Sequence, residues 1–453
     1  MLLGTQQVNS KGHLEIGGCD AVDLARQFGT PLYVLDETTV RERCRTFLDA
    51  FHRRYPRSSV AFAGKALLTS AVVRIVDEEG LELDVASGGE LFTALSAGFP
   101  ANRITLHGNY KSDAELMLAL QHGVGRIVVD SLDEVAQLSR LGGGRSRPID
   151  VLLRLAPGVD PHTHGKISTG QDDTKFGLNV SDSSAEAGVA AIAAVSQLRL
   201  RGFHAHVGSQ LLDTEAHEAA ADVVCRFAAR VRDEHGISVD QIILGGGLGI
   251  RYLPEHQPPS IEAFAGAVTG AFRAALQRFE LGEPRLGVEP GRAVVGEAGV
   301  TLYTVGPVKS VPINETPGRR TYVAIDGGLS DNPRPLMYEA RYQAVIANRA
   351  GDPPTQTVRV SGKHCETDTL LPSAQLPDVA AGDVLAVLST GAYNYAMASN
   401  YNRLPRPAMV LVHDGHADLI VRRETYDDLL RCDVIPDRLM AQASGREPVR
   451  SSA

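Results

Sequence analysis

Short apolar runs, rich in Val, Ile, Leu and Ala, recur through the first two thirds of the chain, and a helical stretch follows most of them. The runs are Ser59–Ala63, Leu81–Val85, Ile104–Leu106, Arg126–Val129, Val151–Leu155, Leu200–Ala205, Gln241–Leu244 and Arg285–Val288. Strand-like runs that alternate with helices are typical of parallel sheets, and eight such repeats predict a parallel (β/α)8 barrel. This barrel would occupy about residues 37–293, close to the ~250 residues usual for the fold.

A residue with useful chemistry lies at or just beyond the C-terminal end of each run. In chain order these are Lys65, Asp84, His107, Asp130, Arg154, His206, the Gly245-Gly246-Gly247 triplet and Glu289. In a (β/α)8 barrel the C-terminal ends of the strands form one rim, and active sites lie on it. Candidates from nearly every strand therefore predict a single active site on the rim.

The pattern changes after Glu289, where helical stretches become few. Strand-like runs follow, separated by Pro, Gly, Asn or Asp: Val294–Thr304, Val305–Val311, Thr321–Ile325, Gln343–Ile346, Thr357–Val360, Val384–Leu388, Ala408–His413 and Ala417–Val421. Many short strands of this kind predict an all-β domain, either a barrel or a sandwich.

Helical spacing of apolar residues marks further elements. Ahead of the barrel, Asp20 can cap a helix that ends at Gly29 and Pro31, and a strand follows at Leu32–Leu35. Within the barrel, helices are predicted at Ala114–Gln121, Ser184–Gln197, Glu215–Asp233 and Ile261–Phe279. The polar segment Asp160–Lys175 is a candidate mobile loop over the rim.

Composition narrows the class of protein. The chain has 453 residues, enough for a second domain, and a net charge of −9, which disfavours nucleic-acid and membrane-surface partners. We expect no signal peptide and, in the absence of a run of ~20 apolar residues, no membrane-spanning helix. The five cysteines are widely spaced without a CxxC pair, so we expect no disulfide framework or zinc site, and a cytoplasmic location.

Four features of the predicted rim have both a plain and a chemical interpretation. A lysine at the position of Lys65 is usually a solvated charge, but partial desolvation would lower its pKa and make it able to form a Schiff base. The glycine triplet is either an ordinary loop or a nest of backbone N–H groups for phosphate, which its place after the seventh strand favours. Glu289 and Arg292 could simply pair, or Arg292 could bind a phosphate or carboxylate.

The fourth feature is the pair His204 and His206, whose side chains face the same way along the sixth strand. No compact set of further ligands accompanies them, so no metal site is predicted. One histidine is expected to stack on a ring, while His204 could be a core residue. A lysine, a phosphate nest, a stacking histidine and a carboxylate together are what pyridoxal phosphate requires.

With these motifs the chain resembles the fold-type III pyridoxal-phosphate-dependent decarboxylases, and among them the diaminopimelate decarboxylases. The matching stretches are Phe62-Ala63-Gly64-Lys65-Ala66, Asp84–Leu91, His107–Lys111, Lys175-Phe176-Gly177, His204–Gln210, Gly245–Gly249, Glu289-Pro290-Gly291-Arg292, Asp331–Pro335, Cys365-Glu366 and Gly391-Ala392-Tyr393. The sequence departs from the family pattern at Leu67, at Pro333 and at Thr367-Asp368-Thr369, where Ser-Gly-Asp is usual. The resemblance implies a (β/α)8 barrel over residues 37–293 and a β domain made of residues 1–36 and 294–453.

The resemblance also implies roles. Lys65 would bind the cofactor covalently, Glu289 would pair with the pyridine nitrogen, and His206 would stack on the ring. The expected catalytic residues are Lys65, Cys365, Glu289 and His206. The expected cofactor-binding residues are Lys65, Asp84, His206, Ser209, Gly245, Gly246, Gly247, Glu289, Gly291, Arg292 and Tyr393. The expected substrate-binding residues are Arg292, Arg334, Tyr338, Glu366 and Tyr393. Cys365 and Glu366 would enter the site from a partner subunit, in a homodimer.

The activity implied is decarboxylation of meso-2,6-diaminopimelate to L-lysine, the last step of lysine biosynthesis, with Cys365 as the proton donor. One alternative is a decarboxylase for lysine, ornithine, arginine or carboxynorspermidine, and another is a non-catalytic pyridoxal-phosphate-binding regulator on the same fold. A racemase is disfavoured, because racemases of this fold place an arginine at the ring nitrogen, where this chain has Glu289.

Overall fold

The computed structural model describes residues 2–159, 171–313 and 317–440. Most of the candidate mobile loop Asp160–Lys175 lies outside the described residues. By their mutual contacts, the described residues form two compact units, one within 1–5, 36–299 and 389–396, and the other within 6–35, 300–388 and 397–453.

The first unit is a closed barrel of parallel strands, as predicted. Its eight strands among the described residues are Ser58–Ala63, Glu82–Val85, Ile104–Leu106, Arg126–Val129, Ile149–Ala156, Leu198–His204, Gln241–Ile243 and Arg285–Val288. Each strand pairs with the next in chain order, and the eighth pairs with the first, which closes the sheet. In this register Ala63 lies opposite Asp84, so the residues at the ends of neighbouring strands reach the same rim.

Helices and short segments complete the barrel unit. The α-helices are Glu37–Arg54, Ser70–Glu78, Gly88–Ser96, Asp113–His122, Leu132–Leu141, Ser184–Ala193, Glu215–His235, Ile261–Arg278 and Arg292–Val295. Two 3-10 turns, Gly64–Ala66 and Ala101–Arg103, and the short strand Leu178–Asn179 also belong to it. Polar caps set many helix starts: Ser112 and Glu115 form a capping box, and Ser260 accepts from the Ala263 N–H.

The second unit is built mainly of sheet. Its large sheet follows the order Thr369–Leu376, Gln356–Ser361, Arg319–Ile325, Gly299–Pro312, Leu32–Asp36, Ala408–His413 and His416–Val421, while Ala344–Ile346 and Val384–Leu388 branch from Gly299–Pro312. A small sheet joins Gln7–Val8, Leu14–Ile16 and Cys19–Asp20. The helices are Ala21–Phe28, Arg334–Tyr338, Tyr426–Leu430 and Asp437–Met440, with 3-10 turns at Ala347–Arg349 and Tyr401–Arg403; a further 3-10 turn, Tyr395–Met397, spans the boundary between the units.

Three predictions for the C-terminal part differ from the structure. The predicted strand Val294–Thr304 begins too early, because Arg292–Val295 is helical. The predicted strands Val294–Thr304 and Val305–Val311 are parts of one continuous strand, Gly299–Pro312, which has a bulge between Val305 and Val308. The strand Thr369–Leu376 was not predicted. The segment 389–396 lies with the barrel unit, since Gly391 N–H donates to Gly296 O at 3.0 Å and Tyr393 N–H donates to Ala66 O at 2.8 Å.

Candidate active site on the barrel rim

Carboxylates and imidazoles from four strands meet at the rim. His204 Nε2 lies 2.9 Å from Glu289 Oε2, and His107 Nε2 lies 3.2 Å from Glu289 Oε1 and 3.6 Å from Asp84 Oδ1. The rings of His107 and His204 meet edge to face, with centroids 4.8 Å apart. All four side chains are buried. The rim residues predicted from the strand ends therefore do converge.

The charge states of this cluster follow from its burial and its contacts. Burial lowers the pKa of His204 to about 4, so at neutral pH the imidazole is uncharged and donates its Nε2 proton to Glu289. Burial would raise the pKa of Glu289, but His204 and His107 hold it well below the usual range. Glu289 is therefore an ionised carboxylate. Its Oε1 and the Oδ1 of Asp84 are buried without an aligned hydrogen-bond donor among the described residues.

Lys65 follows the first strand in the turn Gly64–Ala66, and its Nζ lies 3.3 Å from Asp84 Oδ2. Its side chain is 41 % exposed. Burial acts against the charged ammonium, but Asp84 and, more weakly, Tyr393 and Glu289 outweigh it and raise the pKa of Lys65. The expected lowering of its pKa is wrong for the cofactor-free protein, because neighbouring carboxylates were not visible from the local sequence.

The glycine triplet forms a tight loop after the seventh strand. Gly245 and Gly247 have φ of +70° and +115°, and a Cβ on Gly246 would lie 2.1 Å from Glu289 O. Side chains at these positions would strain or block the loop. The Gly246 N–H donates to His206 Nδ1 at 3.2 Å, which leaves the Nε2 of His206 as the protonated nitrogen of a neutral ring. Burial first, then Lys65 and Arg154, lower the pKa of His206 well below its usual value.

Arg292 lies beside the glycine loop at the start of the helix after the eighth strand. Its guanidinium donates to Ser209 Oγ at 2.9 Å and to the Tyr252 hydroxyl at 2.5 Å, and it covers the Tyr393 ring at 4.7 Å from the centroid. The sequence left open a simple ion pair between Arg292 and Glu289. Among the described residues, these two side chains form no such pair. Tyr252 was missed in the sequence, because it lies in a loop without a motif.

Gly291 precedes this helix, and a Cβ there would lie 3.0 Å from the Cβ atoms of Ala63 and Ala66. Its lack of a side chain brings the Arg292 segment against the segment that carries Lys65.

A second polar cluster of the barrel unit surrounds Lys111. Its Nζ donates to Gly108 O, Val128 O and Glu134 Oε1, each at 2.7 Å, and the side chain is buried. All three donors of this ammonium are therefore used. Next to it, Arg154 lies 3.9 Å from Asp130 and 4.3 Å from the centre of the Phe176 ring.

The substrate-binding candidates Arg334, Tyr338 and Glu366, together with Cys365, belong to the second unit. Arg334 is buried and donates to the Tyr342 hydroxyl at 2.6 Å, while Tyr338 is half-buried at the end of the same short helix. Cys365 and Glu366 are exposed.

Two hydrogen bonds hold the exposed pair. Asn402 Oδ1 accepts from the Cys365 N–H at 3.0 Å, and Tyr401 donates its hydroxyl proton to Glu366. Neither Tyr401 nor Asn402 was predicted from the sequence, since they lie about 35 residues further along the chain.

The residues present in the barrel unit fit pyridoxal phosphate. Glu289 offers an ionised oxygen without an aligned donor, which suits a protonated ring nitrogen. The glycine loop with Ser209 and Arg292 suits a phosphate, and the amine of the half-buried Lys65 suits a carbonyl carbon. His107, His204 and Glu289 could also ligate a metal ion, a grouping that the sequence spacing does not reveal, so the absence of a metal stays a prediction.

Comparison with known proteins agrees with this chemistry. The family described as "Pyridoxal-dependent decarboxylase, pyridoxal binding domain" matches residues 37–296. The diaminopimelate decarboxylase of Bacillus subtilis is 46 % identical over 434 residues, 96 % of this chain and 98 % of the relative. That of Actinosynnema pretiosum is 48 % identical over 95 % of this chain and 94 % of its own.

The same family appears among solved structures. The crystal structure of diaminopimelate decarboxylase from M. jannaschii, in complex with L-lysine, superimposes with a TM-score of 0.90 at 33 % identity, and covers 97 % of this chain and 100 % of that chain. Among the described residues, no helix is both long enough and apolar enough to cross a membrane. The protein thus belongs to the diaminopimelate decarboxylases, a family of pyridoxal-phosphate-dependent enzymes.

Proposed function

We propose that this protein removes CO2 from meso-2,6-diaminopimelate to give L-lysine, the last step of lysine biosynthesis. The observation that carries the proposal is the ionised, buried Glu289 on the same rim as the half-buried Lys65 and the glycine loop. Relatives 43–48 % identical over nearly the whole chain carry the name diaminopimelate decarboxylase, which supports the substrate.

Each part of the barrel site has a role in this proposal. Lys65 would hold the cofactor covalently, and Asp84, whose Oδ2 lies 3.3 Å from the Lys65 Nζ, could take a proton from that amine. Ser209, the loop Gly245–Gly247 and Arg292 bind the phosphate, with Gly291 allowing the close approach and Tyr393 beneath the guanidinium. His206 packs on one face of the ring as a neutral imidazole.

When bound, pyridoxal phosphate would supply an electron sink for the electron pair that decarboxylation leaves at the α carbon. Glu289 stabilises the proton on the ring nitrogen, and His204, by donating to the other carboxylate oxygen, fixes the direction of that carboxylate. The buried position excludes water, so the interaction between Glu289 and a protonated nitrogen is stronger than at a surface.

Arg334 and Glu366 are the proposed contacts for the far end of the substrate. Arg334 is a buried guanidinium suited to the distal carboxylate, and Glu366 suits the distal ammonium. Tyr338, Arg292 and Tyr393 complete the substrate-binding set. Lysine and ornithine lack the distal carboxylate and so cannot form the charge-assisted hydrogen bond with Arg334 that diaminopimelate offers.

We further infer that the protein works as a homodimer with shared active sites. Cys365, the proposed proton donor to the α carbon, and Glu366 are exposed on the single chain, as expected of residues that serve a partner subunit. The five free thiols also support the inference of a cytoplasmic location, where reducing conditions keep cysteines unpaired.

Release of CO2 from a panel of diamino acids tests the proposed substrate. We expect rapid release from meso-diaminopimelate and at least ~100-fold lower kcat/KM for lysine, ornithine and arginine, since a lost buried polar contact can reach ~10⁴-fold discrimination. Arg334→Lys should reduce this difference in kcat/KM, mainly by lowering kcat/KM for diaminopimelate, because a lysine cannot replace the two-pronged guanidinium. A higher rate with lysine or ornithine would support the alternative diamino-acid decarboxylases, and bound cofactor without CO2 release would support a regulator.

A further inference from the structure

The segments that carry Arg334 and Cys365-Glu366 are distant in sequence but meet at one carboxylate, that of Asp368. Its Oδ1 accepts from the Leu329 N–H at 2.8 Å. Its Oδ2 accepts from the His364 N–H at 3.2 Å and lies 2.5 Å from His364 Nδ1. One side chain therefore bonds both to the segment that leads into the Arg334 helix and to the residue directly before Cys365.

The backbone on both sides is shaped around this carboxylate. A Cβ on Gly328 would lie 2.3 Å from Asp368 Oδ2, and a Cβ on Gly362 would lie 1.9 Å from it. Asp368 itself has φ of +34°, a region that side chains other than Asn and Asp rarely adopt. The Asp368 carboxylate is buried and accepts from two backbone N–H groups and one ring nitrogen. These contacts together hold the side chain in one position in spite of its unusual backbone conformation.

The contacts continue from Asp368 to the exposed acid. The His364 ring stacks on the Tyr401 ring, with centroids 5.9 Å apart and an interplanar angle of 18°. Tyr401 donates its hydroxyl proton to Glu366, and this hydrogen bond raises the pKa of the Tyr401 phenol. A continuous series of contacts therefore runs from the Leu329 segment through Asp368, His364 and Tyr401 to Glu366, and it fixes the position of the Glu366 carboxylate.

We propose that Asp368 is a positioning residue that holds the Arg334 segment and the Cys365-Glu366 segment at a fixed separation, and so sets the grip on the distal end of the substrate. This inference rests on the proposed roles of Arg334 and Glu366. It assigns to Asp368, His364 and Tyr401 no contact with the substrate itself.

The test is Asp368→Asn, which keeps the shape of the side chain but places an NH2 group against an N–H donor on one of its two sides. We expect KM for meso-diaminopimelate to rise about tenfold, the order expected when a charge-assisted hydrogen bond is lost, while kcat changes less than about threefold. The absorbance of the bound cofactor should not change. Asp383→Asn is the matched control: Asp383 is a buried loop carboxylate of the same unit that accepts from Arg349 and Asn348, and its variant should leave KM unchanged.

His364 provides a second measurement that does not depend on the folding of the Asp368 variant. His364→Phe keeps a ring to stack on Tyr401 but removes the Nδ1 donor, and should raise KM.

Arg334→Lys, assayed alongside, separates two failures. If it raises KM while Asp368→Asn and His364→Phe do not, the positioning role is overturned and the proposed substrate grip stands. If Arg334→Lys itself leaves KM unchanged, the proposed grip fails and the role of Asp368 falls with it.

Discussion

At the scale of single residues, burial and neighbours decide chemistry that residue type alone does not. Lys65 and Lys111 both follow barrel strands, but the Lys111 ammonium is buried with all three donors used, whereas the Lys65 side chain is 41 % exposed. Glu289 and Glu134 are both buried rim carboxylates, but burial raises the pKa of Glu134, whereas the imidazoles hold that of Glu289 low.

The difference between the two lysines leads to the first prediction. Borohydride treatment of the yellow holoenzyme should fix the cofactor to a peptide that contains Lys65, and Lys65→Ala should carry no fixed cofactor. Peptide mapping by mass spectrometry checks this outcome. Attachment at Lys111 or Lys175 would refute the assignment of Lys65.

A second prediction concerns Glu289. Replacement by Gln should lower kcat at least about tenfold and leave the cofactor attached, because a hydrogen bond to a charged partner contributes about 1.5–3 kcal/mol. Steady-state kinetics with the absorbance spectrum of the variant measure both effects. Glu134→Gln is the control, since its carboxylate pairs with Lys111 instead. A Glu289→Gln variant with wild-type kcat would show that the ring nitrogen is not its partner.

At the scale of elements, the turn that leads into the Arg334 helix is fastened by a buried acid. Asp331 accepts from the Tyr303 hydroxyl and from the Gly328 N–H at 2.8 Å, and its own carbonyl accepts from Tyr33 at 2.6 Å. Burial raises the pKa of Asp331 to about 7, against hydrogen bonds from Tyr303 and Gly328 that favour ionisation. Among the titratable groups near Asp331, His364 lowers its pKa and Asp368 raises it.

This shift gives a prediction with a defined sign. The folded protein holds the Asp331 proton up to about pH 7, whereas the unfolded chain releases it near pH 4, so stability is lost as pH rises through this window. Between about pH 5 and pH 8, the unfolding free energy of the wild type should fall by roughly 1–3 kcal/mol relative to that of Asp331→Asn. Urea unfolding of both proteins at the two pH values measures the difference. Parallel pH dependences would contradict a raised pKa at this site.

The sequence was sufficient for the barrel but not for every strand of the sheet. Short apolar runs such as Ser58–Ala63 are buried along their whole length, so their composition reports their structure. In Gly299–Pro312, Gly306 and Pro307 look like a strand end, but they sit at a bulge, where proline is tolerated. Pro372 likewise made Thr369–Leu376 unlike a strand in the sequence. This segment is an edge strand, where a proline is tolerated because one side of the strand makes no hydrogen bonds to a neighbouring strand.

The site was partly predictable for the same kind of reason. Residues at strand ends, such as Asp84 and Glu289, share a rim because parallel strands share a direction, so their convergence followed from the fold. Pairings between loops, such as Arg292 with Tyr252 or Glu366 with Tyr401, depend on tertiary packing, and no local pattern encodes them.

At the scale of the whole molecule, the proposed dimer divides each site between two chains. Lys65→Ala and Cys365→Ala proteins, each inactive, can be unfolded, mixed and refolded together. Random pairing in a two-fold dimer should restore about a quarter of the wild-type sites. Activity per confirmed mixed dimer is the measurement.

The control for this mixing experiment uses two defects of the barrel unit. Lys65→Ala mixed with Glu289→Ala should recover nothing, because every site would then contain one defective barrel. No recovery in the first mixture, with mixed dimers confirmed to form, would argue that each chain builds its own site.

The segment 389–396, which lies with the barrel unit, also bears on how this protein can be divided. The family match ends at residue 296, but Tyr393, which packs on Arg292 and bonds to Ala66, comes almost a hundred residues later. A gene fragment for the barrel alone would therefore encode an incomplete rim. The barrel site therefore cannot be isolated by cutting the chain after residue 296, since Tyr393 would be lost with the rest of the chain.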